Sequence, residues 1–152
     1  GFIGAPLWIA KACNKIQGQV TSATCAIAQK AAERAMLAEP KSTTKEMKDT
    51  FLNRRNMVID LLKDIPGIKC NIPQGAFYVF PDISYYFGKS DGKTIINNAN
   101  DFCMYLLNSA YVSCVGGDAF GNPECIRISY AAADEKLIEA MDRIQTHLAQ
   151  LS

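Results

Sequence analysis

Arg127 interrupts an otherwise apolar, strand-like run, Cys125-Ile126-Arg127-Ile128-Ser129-Tyr130-Ala131. Alternation at period two turns Cys125, Arg127, Ser129 and Ala131 to one sheet face and Ile126, Ile128 and Tyr130 to the other. A guanidinium stays charged and holds its donors in a fixed fork that matches a carboxylate through two parallel hydrogen bonds. Two partners satisfy that chemistry: an internal Asp or Glu, or the carboxylate of a ligand. The local pattern by itself favours the internal ion pair, because charges this enclosed are usually matched by the protein's own.

The other reactive residue types are scattered. Cys13, Cys25, Cys70, Cys103, Cys114 and Cys125 include no Cys-x-x-Cys, and His147 is the single histidine, so no metal set is expected. At 152 residues and 49% hydrophobic, the chain can build a core without disulfide staples. The cysteines are therefore expected to be reduced, mostly buried thiols, which points to the cytoplasm. Sixteen basic residues against fifteen acidic ones, with no basic cluster interleaved with aromatics, exclude nucleic acid as an expected partner. The apolar opening Gly1 to Ala10 has no basic leader and is interrupted by Pro6, so neither a signal peptide nor a membrane span is expected. Without an initiator Met and opening on a strand-like run, the chain is expected to be a piece of something longer.

The elements that must position Arg127 follow from periodicity. Residues 1 to 5 read as a buried strand, and Pro6 opens a helix through Lys11 and Ile16. Gln17 to Thr24 reads as a loop. Ala26 to Leu37 is an alanine-rich, tightly packed helix ended by Glu39-Pro40. Thr43 and Glu46 form a capping box for a long helix whose apolar face is Met47, Phe51, Val58, Leu61, Leu62 and Ile65; Pro66-Gly67 stops it. Its charged side, Lys48 to Asp64, is an ordinary solvated face.

Ile68 to Ile72 and Ala76 to Phe80 read as strands around a Pro73-Gln74-Gly75 turn, with Gly75 allowing close backbone approach. Ser84 to Asn98 is expected to be a mobile loop whose Tyr85, Tyr86 and Phe87 cover the core edge. Phe102, Leu106, Leu107 and Ala110 mark a helix, Tyr111 to Val115 a strand, and Gly116-Gly117 a break before the arginine strand. A final helix from Asp134 carries Leu137, Ile138, Met141, Ile144, Leu148 and Leu151 on one face, with His147 on its polar side. This order predicts an α/β (α+β) sandwich: a small mixed or antiparallel sheet with helices on one side. Residues 1–40 do not fit it and read as the edge of a neighbouring domain; residues 41–152 form the sandwich.

Pro73-Gln74-Gly75-Ala76-Phe77-Tyr78-Val79-Phe80-Pro81 resembles the run that opens the small-domain sheet of class I (fold type I) pyridoxal-phosphate aminotransferases. Gly116 to Gly121, Cys125 to Ala131 and the helix Leu137 to Ile144 look like that family's C-terminal block, and Ile27 to Ala32 is similar to a connecting helix of the bacterial aspartate aminotransferase branch. The resemblance implies that residues 1–40 end the large cofactor-binding domain and 41–152 form the small C-terminal domain. It further implies an amino transfer between an amino acid, aspartate foremost, and 2-oxoglutarate through pyridoxal 5'-phosphate, in a homodimer. Gln17 to Thr24 would then reach toward the partner's site.

On that pattern Arg127 holds the substrate's α-carboxylate, and Phe77 borders the site as an apolar wall, a position equally suited to the core. The family's Schiff-base lysine falls before Gly1, and Lys11, Lys15, Lys89 and Lys93 do not replace it. No catalytic or cofactor-binding residue is therefore expected in this chain, which should not bind the cofactor or transaminate alone. Two other functions share the small domain: a pyridoxal-phosphate lyase or synthase, and an amino-acid-binding effector domain of a regulator. A free-standing carboxylate-binding module is the third rival.

Overall fold

A computed structural model describes residues 3–37 and 42–152. The chain divides into two compact units, Gly1–Thr44 and Lys45–Ser152. The boundary read at residue 40, the Glu39-Pro40 helix stop, the first two residues of the predicted opening strand and the side chain of the capping-box Thr43 lie outside the described residues.

The first unit holds α1 (Leu7–Val20) and α2 (Ala26–Leu37). Pro6 caps α1 in extended conformation, where its missing N–H is no loss. Two expectations fail here. Ile3 to Ala5 form no strand, with Ile3 exposed, and the predicted loop at Gln17 begins late because α1 continues to Val20. Polar and β-branched residues only weakly oppose a helix, and the Gln17 amide reaches the Thr21 hydroxyl at 2.6 Å across one turn. The turn that follows bends through left-handed Ser22 and Ala23. Nor is α2 tightly packed: it buries no residue within this chain.

The second unit opens within α3 (Ser42–Lys63), followed by β1 (Tyr78–Val79), α4 (Ala99–Tyr105), β2 (Val115–Gly116), β3 (Ile126–Ser129) and α5 (Asp134–Leu148). Of the predicted α3 stripe, Val58, Leu62 and Ile65 are buried, joined by Ile59, while Met47 is exposed. Asn98 caps α4 by accepting from the Asp101 N–H at 2.9 Å, and Asp101 Oδ2 in return accepts from the Asn97 N–H at 3.0 Å. One π turn, Leu106–Ala110, extends α4 and ends at left-handed Tyr111. In α5, Asp134 and Glu135 face the N-terminal dipole, and Leu137, Met141, Ile144 and Leu148 are buried.

The sheet is antiparallel with order β1-β3-β2. Val79 faces Ile128 and Gly116 faces Ile126 on the side packed by the helices, and burying each such apolar side chain contributes about 1.5–3 kcal/mol. Polar tips of the core tyrosines are all used: Tyr130 donates to Ala76 O at 3.0 Å, Tyr105 to His147 O at 2.9 Å, and Tyr86 to Pro66 O. Arg54 pairs with Asp134 at 2.6 Å, tying α3 to the start of α5.

The sandwich is thus as expected, but its strands are shorter. Ile68 to Ile72 contributes a single bridge, Lys69 to Asp82, and Tyr111 to Val115 supplies only Val115 to β2. The segment Ser84 to Asn98 is not an open loop. A 3-10 turn spans Ser84–Tyr86, Gly88 donates to Ile96 O at 2.7 Å, and Ser90 and Ser152 exchange two backbone hydrogen bonds at 3.1 Å. Tyr86 is buried and Phe87 half-buried as core cover, but Tyr85 is exposed.

Candidate functional site

Strand register sets the site. Val115 pairs with Arg127, and Tyr78 pairs with Ser129, so Tyr78, Val115, Arg127 and Ser129 share the sheet face away from the helices. Burial alternates as predicted along β3: Ile126 and Ile128 are buried, Arg127 is half-buried and Ser129 exposed. Cys125, assigned to the arginine face, is buried instead, because the chain has not yet entered β3 and bridges Asp82.

The guanidinium does not rest on an acid. Its Cζ lies 4.5 Å from the centroid of the Tyr78 ring and 4.3 Å from that of Phe120. Among the described residues no Asp or Glu pairs with it, the ion pairs being Lys30–Glu33, Lys45–Asp49, Arg54–Asp134, Lys63–Asp60, Lys136–Glu139 and Arg143–Glu139. Among the described residues the internal ion pair that the local sequence favours is therefore not formed. Cation–π contact uses the flat face of a guanidinium and leaves its N–H edge able to donate in-plane to a carboxylate.

Phe77 is 40% exposed, and its ring packs 6.0 Å from Phe51 and 4.5 Å from Tyr78, so it joins the site through Tyr78. Its carbonyl accepts from the Tyr130 N–H at 2.9 Å, which continues the β1–β3 ladder. Phe120, in the 3-10 turn Gly117–Phe120 after β2, packs edge-on against Phe80 at 6.2 Å. Sequence reasoning did not single out Tyr78 or Phe120. Period two on Tyr78-Val79 was the available signal for the first; no local pattern marks the second.

Behind this face, Arg55 donates to Pro73 O at 3.0 Å and so holds the turn that leads into β1. A groove of about 270 Å³ opens there, lined by Lys48, Phe51, Arg55, Gln74, Gly75 and Tyr130. No close neighbour explains Gly75: nothing lies within 4 Å of where its Cβ would stand, and the tight backbone is at Ala76, φ 59°. His147 is half-buried, with Nδ1 2.9 Å from Arg143 O.

All six cysteines are free thiols, but they are not mostly buried: Cys103 and Cys125 are buried, Cys70 and Cys114 intermediate, and Cys13 and Cys25 exposed. Burial pushes the Cys114 thiol up to about 12 and the Cys103 thiol up to about 11. Cys25 is lowered by the N–H groups of Ala28 and Ile27 at the start of α2. Among the described residues no three His, Cys, Asp or Glu side chains gather as a metal site, and no helix is long and apolar enough to cross a membrane.

A short antiparallel sheet, backed by helices, thus presents one arginine that has no acid partner among the described residues. The model of the family described as aminotransferase class I and II matches residues 1–144, and the chain belongs to that family. It is 42% identical over 154 residues to a bifunctional aspartate aminotransferase and glutamate/aspartate-prephenate aminotransferase of Petunia hybrida, covering 99% of this chain and 32% of that protein. To an aspartate aminotransferase of Rhizobium meliloti (strain 1021) it is 40% identical, covering 100% of this chain and 37% of the relative. The crystal structure of the aspartate aminotransferase from Rhizobium meliloti superposes with a TM-score of 0.84 at 39% identity, over 98% of this chain and 37% of that one. The chain thus spans about a third of the length of the relatives it matches.

Proposed function

We propose that this chain is the C-terminal part of a pyridoxal-phosphate aminotransferase that moves an amino group between an amino acid, aspartate foremost, and 2-oxoglutarate. The observation that carries the reading is the Arg127 guanidinium, held by Tyr78 and Phe120 with no acid partner among the described residues. An amino acid and its 2-oxo acid share an α-carboxylate, so one bidentate anchor orients both half-reactions. Arg127 is assigned that carboxylate, and Phe77 the apolar border behind Tyr78. On the same reading residues 1–40 end the large domain, 41–152 form the small one, and the enzyme works as a homodimer. Six free thiols fit a reducing compartment, the cytoplasm.

The described residues do not by themselves fit the cofactor. No buried side-chain nitrogen or oxygen among them lacks a hydrogen-bond partner, so none is left waiting for a phosphate or a pyridine nitrogen. Lys30, Lys45, Lys63 and Lys136 are engaged in helical ion pairs, and Lys89 lies over the Tyr85 ring. The groups that hold pyridoxal phosphate are assigned to the rest of such an enzyme, and no step is derived through it.

The test is Arg127→Ala in the complete enzyme. Binding of aspartate and of 2-oxoglutarate should weaken together by about 2–5 kcal/mol, as when one partner of a desolvated charge pair is removed. Unchanged affinity for both rejects the anchor. Binding without turnover in the unsubstituted protein would point to an effector domain, and breakdown of an amino acid without an oxo-acid acceptor to a lyase.

A further inference from the structure

We propose that Phe120, assisted by Tyr78, is a positioning residue that holds the Arg127 guanidinium ready for a carboxylate; this rests on reading Arg127 as the substrate anchor. An arginine on a half-open sheet face has many rotamers to lose when it binds. Proteins commonly fix such a side chain with an acid, but an acid would occupy the same N–H edge that the substrate needs and offset the charge. Aromatic rings restrain the group from its face instead and leave the donors unoccupied.

The two rings come from both flanks of β3. Tyr78 belongs to β1, where it pairs with Ser129 and so lies diagonal to Arg127. Phe120 follows β2, whose Val115 pairs with Arg127. Its turn is fixed by backbone contacts: Gly117 donates to Cys125 O at 2.8 Å, Asn122 donates to Gly117 O at 3.1 Å, and Gly121 takes the left-handed conformation that closes the turn. Phe120 remains 46% exposed, so it is not a core side chain, and its ring meets the guanidinium and stands T-shaped to Phe80. A half-exposed phenylalanine set by this much backbone, against a cation with no acid partner among the described residues, acts on that cation.

The experiment uses the complete enzyme and the non-reacting dicarboxylate succinate as probe. Phe120→Leu, which keeps apolar bulk and removes the ring, should raise the succinate inhibition constant and the KM for aspartate about five- to tenfold, the size of one partly desolvated cation–π contact, with a smaller change in kcat. Phe120→Tyr should restore both. In the unsubstituted enzyme the Arg127 Nε–H resonance should be displaced upfield by ring current, and Phe120→Leu should reduce that displacement.

If Phe120→Leu leaves succinate binding unchanged while Arg127→Ala weakens it, the positioning role is overturned and the anchor survives. If Arg127→Ala also leaves it unchanged, the anchor fails and the positioning role with it. An Arg127 resonance with no ring-current displacement overturns the role without any variant having to fold.

Discussion

Gly117→Ala tests whether the turn carrying Phe120 is set by steric necessity. A Cβ at Gly117 would stand 2.5 Å from Cys125 O and inside the contact limit of Asn122 O, both backbone atoms that cannot rotate away. Overpacking of this kind costs about 1–3 kcal/mol, and the shift it forces strains the Gly117-to-Cys125 and Asn122-to-Gly117 hydrogen bonds, worth about 1 kcal/mol each. The expected total is about 3 kcal/mol, or a urea midpoint lower by about 2 M if the slope is about 1.5 kcal/mol per molar. Gly121→Ala is the control: nothing lies within 4 Å of its Cβ, and only its φ of 84° opposes a side chain, costing about 1 kcal/mol. All six tyrosines lie in the unit Lys45–Ser152 and the single tryptophan, Trp8, in the other. For this chain by itself, tyrosine absorbance during urea unfolding therefore reports the unit Lys45–Ser152. If Gly117→Ala shifts the tyrosine midpoint no more than Gly121→Ala does, the steric account of this turn is wrong.

Removing the Tyr130 hydroxyl with Tyr130→Phe leaves Ala76 O without its 3.0 Å donor and should destabilise the same unit by about 1 kcal/mol, read from the same tyrosine transition. Thiol labelling near neutral pH should modify Cys25 first and Cys13 next, with Cys103 and Cys114 reacting only on unfolding; mass spectrometry of partly alkylated chain would expose any other order. Burial pushes the Tyr86 phenol from 10.0 up to about 12. The folded form thus holds this proton more tightly, so its stabilising effect is complete below pH 10 and is lost as pH rises toward 12. Tyr86→Phe should flatten that alkaline decline in the urea midpoint, and an unaltered slope would contradict the assignment.

Periodicity made the helices and the β3 alternation legible, because Ile126 and Ile128 answer to a single buried face, as do Leu137, Met141, Ile144 and Leu148. The same logic failed where burial was assumed from composition. Ile27, Ala31 and Ala35 recur at helical spacing in an alanine-rich helix, but within this chain they are exposed, since an apolar stripe does not say where its partner is. Strand lengths were overread at Ile68 to Ile72 and Tyr111 to Val115: β-branched residues favour extended backbone, but pairing partners decide how many of them join a ladder. At the site, Arg127 was visible as an anomaly in an apolar run. Its aromatic company was not, because Phe120 meets it through a long-range turn that no local pattern encodes.

The middle position of β3 makes the sheet an indexing device. Arg127 and Ile128 are adjacent, yet one is offered outward and the other is sealed among the helices. A slip of one residue against Val115 and Val79 would exchange them, driving a cation inward and stranding an isoleucine at the recognition face. The pairings with Val115 and Val79 are therefore what decide which chemistry reaches that surface.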